Sequence, residues 1–301
     1  MLYQKDKQTK KIMKKPTSEI HKLSTAQIVA LIFALLVALN VFSQTKYPFD
    51  VKITGEGTKS IILMPGLSSS GEVWNETVEH YKKNYKCHIL TMHGFAGCKA
   101  DSTTSYKNWE KGIADYVTEN KISKPIFIGH SIGGGMALLL ASDYPDLFSK
   151  IIVVDALPCL GALQNPNFTA IINPDCSMYV NQFQSMSKEQ YYAMQKQTMP
   201  SLMSDTIHLK QAIEWSVNSD RKTIAEIYCQ FLNTDLRETI KTVKCPALVL
   251  LEAPFAGMKP VIEEQYENLK TGTFQYSNKT LHFIMYDDQD WYFSQIDAFL
   301  K

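Results

Sequence analysis

Short apolar runs rich in β-branched residues recur between residues 51 and 154, and helical patterns separate them. The runs occupy residues 60–64, 87–92, 125–128 and 150–154, and a shorter one surrounds Val51 and Ile53. The intervening segments 73–83, 105–119 and 133–142 have helical patterns. Continuous apolar runs of this length are typical of strands buried on both faces of a parallel sheet. The alternation therefore predicts an α/β fold with a doubly wound, mostly parallel sheet.

The alternation stops after residue 156 and resumes near residue 246. Residues 157–241 contain no convincing strand pattern, and helical patterns occur there at 187–197, 205–218 and 223–232. Strands at 246–251 and 273–276 follow, with a helix at 260–269 between them and an amphipathic helix at 290–300. We therefore predict a core in two parts, residues 45–156 and 242–301, interrupted by an inserted helical cap at residues 157–241.

The first 44 residues differ in composition from the rest of the chain. Seven lysines lie among the first 22 residues, and an apolar run at 28–42, broken only by Asn40, leads into Ser43, Gln44 and Thr45. This run is shorter than the roughly 20 apolar residues of a membrane span. A basic start, a short apolar stretch and a small-residue exit predict a signal peptide at residues 1–44. We expect a periplasmic or secreted protein that has no membrane attachment after cleavage; an uncleaved N-terminal anchor is the alternative.

Charge and cysteine content narrow the function further. The formal net charge of +1 over 301 residues gives no indication of a nucleic acid partner. The six cysteines form no C-x-x-C pair, so the sequence predicts no metal site. An exported protein can hold disulfides. Cys159 and Cys176, which lie close together in a segment rich in Pro and Asn, are predicted to form one, with buried free thiols as the alternative.

The segment Gly129-His130-Ser131-Ile132-Gly133 lies between the predicted strand at 125–128 and the predicted helix at 133–142. A serine in such a strand–turn–helix elbow is lifted above the sheet by a strained backbone, and the flanking glycines leave room for it. The start of the following helix also favours negative charge that develops there. The motif therefore predicts Ser131 as a nucleophile.

A serine hydroxyl is a poor nucleophile until a base takes its proton. His282 follows the last predicted strand and precedes the last helix, so it is the predicted base. His130 is adjacent to Ser131 and is therefore expected to point elsewhere, whereas His93 lies on an earlier turn and is expected in the wall of the site.

Attack on a carbonyl also requires hydrogen-bond donors for the oxyanion, usually two backbone N–H groups. Ile132, directly after the nucleophile, should supply one of them. Leu67 should supply the other, because it lies in a Pro-Gly turn after an early strand and Gly66 lets the backbone approach the substrate closely.

These motifs, in this order, resemble the α/β-hydrolase superfamily over residues 50–301. The resemblance rests on the segments 65–67, 92–97, 129–134, 154–157 and 281–283. It implies hydrolysis of an ester, lactone, amide or related bond without a metal or other cofactor. It also implies that the cap shapes the pocket, so we expect a small-molecule substrate with an apolar acyl or alkyl group. The apolar cap residues that would line the pocket, or form the core of the cap itself, are Met178, Tyr179, Phe183, Tyr191, Tyr192, Met194, Met199 and Met203.

The catalytic acid is the departure from the family pattern. Relatives usually carry it in the loop after the strand that here ends near residue 251, but residues 252–260 contain no Asp. Asp155, directly after the strand at 150–154, is the preferred candidate because it emerges at the C-terminal edge of a neighbouring strand. Glu252 is the second candidate, and Asp287 and Asp288 are expected to start the final helix. A catalytically silent ligand-binding protein on the same scaffold is the alternative function.

Overall fold

The computed structural model describes residues 46–163, 165 and 167–301, and a seven-stranded sheet lies at its centre. The strands are β1 (Phe49–Thr54), β2 (Lys59–Met64), β3 (Tyr85–Met92), β4 (Ile126–His130), β5 (Lys150–Val154), β6 (Ala247–Leu251) and β7 (Gly272–Tyr276). Their order in the sheet is β1-β3-β2-β4-β5-β6-β7. β1 pairs with β3 in antiparallel fashion, and the other neighbouring strands are parallel. The predicted α/β fold with a mostly parallel sheet is confirmed.

The predicted signal peptide and its cleavage position near Gln44 or Thr45 lie outside the described residues. Within the described part of the chain, no helix combines the length and the apolar character that crossing a membrane requires.

Helices occupy the segments between the strands. They are α1 (Asn75–Tyr81), α2 (Tyr106–Glu119), α3 (Ile132–Asp143), α4 (Ser177–Ser185), α5 (Lys188–Thr198), α6 (Thr206–Asn218), α7 (Arg221–Leu232), α8 (Ala253–Ala256), α9 (Lys259–Gln265), α10 (Ile284–Asp287) and α11 (Gln289–Leu300). The sequence did not predict α4. It is only nine residues long, and its half-buried apolar residues Tyr179, Val180 and Phe183 form a stripe too short to stand out in the sequence.

Side-chain caps determine where several helices begin. Ser105 accepts a hydrogen bond from a backbone N–H in the first turn of α2, and Asp288 does the same for α11, which agrees with the prediction for Asp288. Ser187 and Gln190 cap α5 reciprocally, each side chain bonding the backbone of the other. Such caps satisfy N–H groups that have no partner within the helix, and each contributes about 1 kcal/mol.

Two apolar layers enclose the sheet, one on each face. Ile61 and Leu63 of β2 pack into the layer that contains residues of α1 and α11, namely Val78, Tyr292 and Ile296. Ile62 and Met64 of the same strand pack into the opposite layer, with Trp109, Ile113, Met136 and Leu140 of α2 and α3. Because successive strand side chains point to opposite faces, a strand covered on both sides must be apolar throughout. This explains the continuous apolar runs in the sequence.

Residues 157–241, hereafter the cap segment, leave the sheet after β5, contain α4–α7, and return to it at β6. The predicted disulfide in this segment is wrong. Cys176 is bonded to Cys229, with their Cα atoms 5.7 Å apart, and Cys159 is a buried free thiol. Cys176 precedes α4, which packs on α7, where Cys229 lies. A disulfide requires two cysteines whose side chains are close in the folded structure. The prediction was wrong because it relied on closeness along the chain.

Candidate active site

Ser131 occupies the turn between β4 and α3 in a backbone conformation that non-glycine residues rarely adopt, with φ 55° and ψ −121°. Such strain costs roughly 1–3 kcal/mol, and the surroundings must hold it in place. The N–H of Ser131 donates to the carbonyl of Val154 at 2.8 Å, and its side chain makes no capping bond to α3. A Cβ at Gly129 would lie 1.9 Å from the Gly133 carbonyl oxygen, so the turn requires glycine there. The local fold thus holds an uncommitted hydroxyl at the start of a helix.

Asp155 and His282 form a hydrogen-bonded pair at the same edge of the sheet. Ser131 follows β4, Asp155 follows β5 and His282 follows β7, and the carboxyl ends of parallel strands lie at one edge. His282 Nδ1 lies 2.6 Å from Asp155 Oδ2, and Asp155 is only 2% exposed. A carboxylate accepts hydrogen bonds, so Nδ1–H donates to it and Nε2 of the neutral ring keeps its lone pair. The hydrogen-bonded pair therefore offers His282 Nε2 as a base.

Glu252 lies beside this pair without a hydrogen bond from His282. Its backbone N–H donates to Asp155 Oδ1 at 2.8 Å, so both oxygens of Asp155 are occupied. One carboxylate oxygen of Glu252, one of Asp155 and one ring nitrogen of His282 lie within 4.8 Å of one another. Three such atoms are close enough to bind a metal ion together. A cation there would have to displace the proton that His282 and Asp155 share. The geometry favours Asp155 over Glu252 as the partner of His282.

The charges around His282 shift the pKa values of the site. Burial lowers the pKa of His282, but the hydrogen bond and charge of Asp155, with the charge of Glu252, outweigh it and raise the pKa above its ordinary value. Burial and then the charge of Asp155 raise the pKa of Glu252 to about 7. Near neutral pH, Glu252 is therefore only partly ionised.

His130 acts on the backbone of His282. Its Nε2–H donates to the His282 carbonyl oxygen at 2.9 Å, and burial holds the pKa of His130 well below its usual range, so the ring stays neutral. This bond ties the loop that carries His282 to the serine turn. His93, which was expected in the site wall, instead hydrogen-bonds Asp101 at 2.9 Å and lies outside the residues that border the cavity described next.

A cavity of about 470 Å³ opens between the serine turn and the cap segment. Ser131 and His282 both border it. Four of the eight apolar cap residues named from the sequence also border it, and these are Phe183, Tyr191, Met194 and Met199. Further apolar walls come from Leu160, Leu202, Ile224, Tyr228, Phe231 and Phe283. The cavity is thus lined largely by carbon, with the serine and histidine at one wall.

Leu67 and Ile132 border the same cavity next to Ser131. Ile132 is the first residue of α3, where the backbone N–H has no partner within the helix. Among the described residues, no acceptor is bonded to the N–H of either residue. A Cβ at Gly66 would lie 3.2 Å from Ser131 Cβ and 2.8 Å from His130 Nδ1, so this close approach requires glycine. Two N–H groups are therefore available beside the serine.

A family profile described as "alpha/beta hydrolase fold" matches residues 59–207. The chain belongs to the α/β-hydrolase fold family. A pimeloyl-[acyl-carrier protein] methyl ester esterase of Vibrio campbellii is 30% identical over 36% of this chain, and a karrikin insensitive 2 receptor CA of Petunia hybrida is 25% identical over 36%. The chain spans about two fifths of the length of these relatives, 41% and 42% respectively.

Solved structures extend the likeness of this α/β-hydrolase chain beyond the matched segment. An enol-lactonase from Burkholderia xenovorans LB400 superposes with a TM-score of 0.70 at 16% identity and covers 86% of this chain and 98% of its own. An esterase from Exiguobacterium antarcticum gives 0.68 at 15% identity, with 84% and 95% covered. At these identities the likeness shows the fold.

Sequence reasoning missed part of this α/β-hydrolase site. The bond from His130 to the His282 carbonyl joins residues 152 positions apart, and no local pattern signals it. Ser68, Ser216 and Tyr191, whose hydroxyls meet in the cavity wall, come from a loop and two cap helices. Two signals were available: Ser68 follows Leu67, which the sequence placed at the site, and Tyr191 was among the cap residues expected to line the pocket.

Proposed function

We propose that the protein is a serine hydrolase that cleaves an ester or related acyl bond. Ser131 is the nucleophile, His282 the base, Asp155 the acid that orients His282, and the N–H groups of Leu67 and Ile132 form the oxyanion hole. The observation that carries the proposal is the strained Ser131 in a cavity that it shares with His282, whose other ring nitrogen bonds the buried Asp155 at 2.6 Å.

The proposed reaction has two halves. The Ser131 hydroxyl gives its proton to His282 Nε2 while Oγ bonds the substrate carbonyl carbon, and the carbonyl oxygen becomes an oxyanion held by two N–H groups. His282 then gives that proton to the leaving oxygen, the carbon–oxygen bond breaks, and an acyl-serine remains. Water repeats the sequence against the acyl-serine and releases the acid. Asp155 stabilises the imidazolium in both halves.

The substrate is a small molecule with an apolar acyl or alkyl group. The largely carbon-lined cavity of about 470 Å³ supports this size and chemistry. The similarity to a methyl ester esterase in sequence, and to an esterase and an enol-lactonase in structure, supports ester or lactone chemistry.

A ligand-binding protein without turnover is the second candidate, favoured by the similarity to a protein named as a receptor. Both candidates use the same cavity, so they differ only in whether Ser131 is reactive. The intact pairing of His282 with Asp155 favours the hydrolase, because a binding cavity has no need of an oriented base.

Labelling by a fluorophosphonate probe tests the proposal, since only an activated serine reacts. The wild type should be labelled and should hydrolyse short p-nitrophenyl esters. Ser131→Ala should lose labelling and roughly 10⁶-fold in turnover, as removal of a triad nucleophile does. Ser142→Ala, which removes a buried hydroxyl of α3 bonded to its own helix, is the control and should keep both. Wild-type turnover in Ser131→Ala would overturn the assignment, and an unlabelled wild type would favour the binding protein.

We also propose that the protein is exported. The basic and apolar composition of residues 1–44 supports this, and so does the disulfide between Cys176 and Cys229, because disulfides persist mainly in oxidising compartments.

A further inference from the structure

A chain of three hydroxyl groups interrupts the apolar wall of the cavity. Ser68 Oγ lies 3.1 Å from Ser216 Oγ, and Ser216 Oγ lies 3.1 Å from the Tyr191 hydroxyl. All three residues border the cavity, and they are 9%, 1% and 2% exposed in the order Ser68, Ser216, Tyr191. Polar groups buried this deeply are costly unless they are hydrogen-bonded, so their presence in a carbon-lined wall needs an explanation.

One proton of this hydroxyl chain has no acceptor among the residues that the structure describes. Three hydroxyls carry three protons, and the two contacts between them use two. Among the described residues, no other group accepts from any of the three. In the contact between Tyr191 and Ser216, either hydroxyl can be the donor. In both cases one O–H of the three has no acceptor and can donate into the cavity that the three residues border.

The hydroxyl chain is held rigidly beside the proposed oxyanion hole. Ser68 directly follows Leu67 and has a positive φ of 55°. Its carbonyl lies 3.2 Å from Ser219 Oγ, whose single proton it shares with the Trp215 carbonyl at 2.8 Å, and the same Oγ accepts from the Ala96 N–H at 2.7 Å. Ser216 and Ser219 both belong to the end of α6, so one cap helix fixes both the hydroxyl and the backbone of Ser68. A donor positioned in this way is preorganised for a ligand.

We infer that Ser68, Ser216 and Tyr191 form a polar subsite that binds a second, uncharged oxygen acceptor of the substrate. This rests on the proposed hydrolase function and names its substrate class: an ester or lactone that carries an ether, keto or hydroxyl oxygen on an otherwise apolar acyl or alkyl part. A charged group does not fit, because no Lys or Arg is among the described residues that border the cavity, and an unpaired charge in an apolar cavity is unfavourable.

Isosteric ester pairs test this inference. The acyl pairs are p-nitrophenyl butanoate with methoxyacetate and p-nitrophenyl pentanoate with 3-methoxypropanoate, in which one CH₂ becomes an oxygen. The alkyl pair is butyl butanoate with 2-methoxyethyl butanoate, followed by acid release. Each ratio of kcat/KM is divided by the ratio of the hydroxide-catalysed rates. The wild type should prefer the oxygen ester roughly tenfold in at least one pair, which corresponds to one neutral hydrogen bond.

A variant that combines Ser68→Ala, Ser216→Ala and Tyr191→Phe removes all three hydroxyls, because any one of them left in place would keep a free O–H. This triple variant should bring the preferred ratio to within about twofold of 1, and detectable hydrolysis of p-nitrophenyl butanoate shows that it is folded. Ser142→Ala, remote from the cavity, is the matched control and should keep the wild-type ratio. A wild-type ratio near 1 in every pair, or a preference that survives in the triple variant, overturns the subsite. Absence of any ester turnover and of fluorophosphonate labelling would instead overturn the proposed function.

Discussion

At the scale of single residues, the site separates the roles of two neighbouring carboxylates. Asp155 is buried, accepts hydrogen bonds through both oxygens, and is bonded to His282. Glu252 is partly exposed, has no bond to His282, and its pKa is raised to about 7 by burial and by Asp155. In the proposed mechanism Asp155 therefore orients the His282 ring, whereas Glu252 only changes the electrostatic field around it.

The two carboxylates should differ sharply on mutation. Asp155→Asn removes the acceptor that fixes the His282 tautomer, so turnover should fall roughly 10⁴-fold by analogy with serine proteases. Glu252→Gln removes a nearby negative charge that favours imidazolium, so the pKa of His282 should fall. Because the neutral base is the active form, the acidic limb of the profile of kcat/KM against pH should move to lower pH.

Both variants are compared at matched folding, judged by circular dichroism. A large loss in Glu252→Gln with near wild-type turnover in Asp155→Asn would show that Glu252 is the acid. An acidic limb that moves to higher pH in Glu252→Gln would contradict the electrostatic argument.

At the scale of elements, the cap segment is joined to the core by apolar packing, since Ile224 and Phe231 of α7 lie in the same layer as α2 and α3. The α4 helix has no fully buried residue, and the bond between Cys176 and Cys229 ties its start to α7. At the other side, Ser219 at the end of α6 bonds the backbone of the loops that follow β2 and β3. These links decide where the cap wall of the cavity lies.

Loss of the disulfide should loosen the cap segment before the core. The bridge spans 53 residues, so in the chain-entropy model its removal in a Cys176→Ser, Cys229→Ser variant should lower the free energy of unfolding by up to about 4 kcal/mol. Denaturant unfolding measures this, and limited proteolysis should cut near α4. Cys98→Ser, which removes a free thiol, is the control. Non-reducing peptide mapping that finds Cys159 bridged would contradict the assigned pairing.

At the scale of the whole molecule, the folded core differs in composition from residues 1–44, the proposed signal peptide. The two apolar layers around the sheet form a core large enough for stability without metal. Residues 1–44 have the composition of an export signal. The proposed export would also provide the oxidising surroundings in which a disulfide forms.

Processing of the leader can be measured on protein secreted by a host. Mass spectrometry of the mature N-terminus should find a start close to Gln44 or Thr45. A Leu35→Arg, Leu36→Arg variant interrupts the apolar run and should remain unprocessed inside the cell, whereas Lys5→Gln is the control and should be processed. Peptides from residues 1–40 in the membrane fraction would support the anchor instead.

The sequence by itself determined the parts of this protein that depend on local pattern. Continuous apolar runs predicted the strands because a strand covered on both faces must be apolar along its length. The glycines around Ser131 predicted the turn because only glycine tolerates the close backbone contact at residue 129. Position after the last strand singled out His282, since active residues collect at the carboxyl ends of parallel strands.

Only the tertiary structure decided how distant residues pair. Asp155 and Glu252 remained alternatives in the sequence, because both follow strands that end at the same edge, and the choice depended on which side chain meets His282. Cys176 pairs with a residue 53 positions away rather than with nearby Cys159. The chain of hydroxyls from Ser68 to Tyr191 was equally invisible in the sequence. Such pairings depend on distances that exist only once helices and loops have packed, and no period or motif in the chain encodes them.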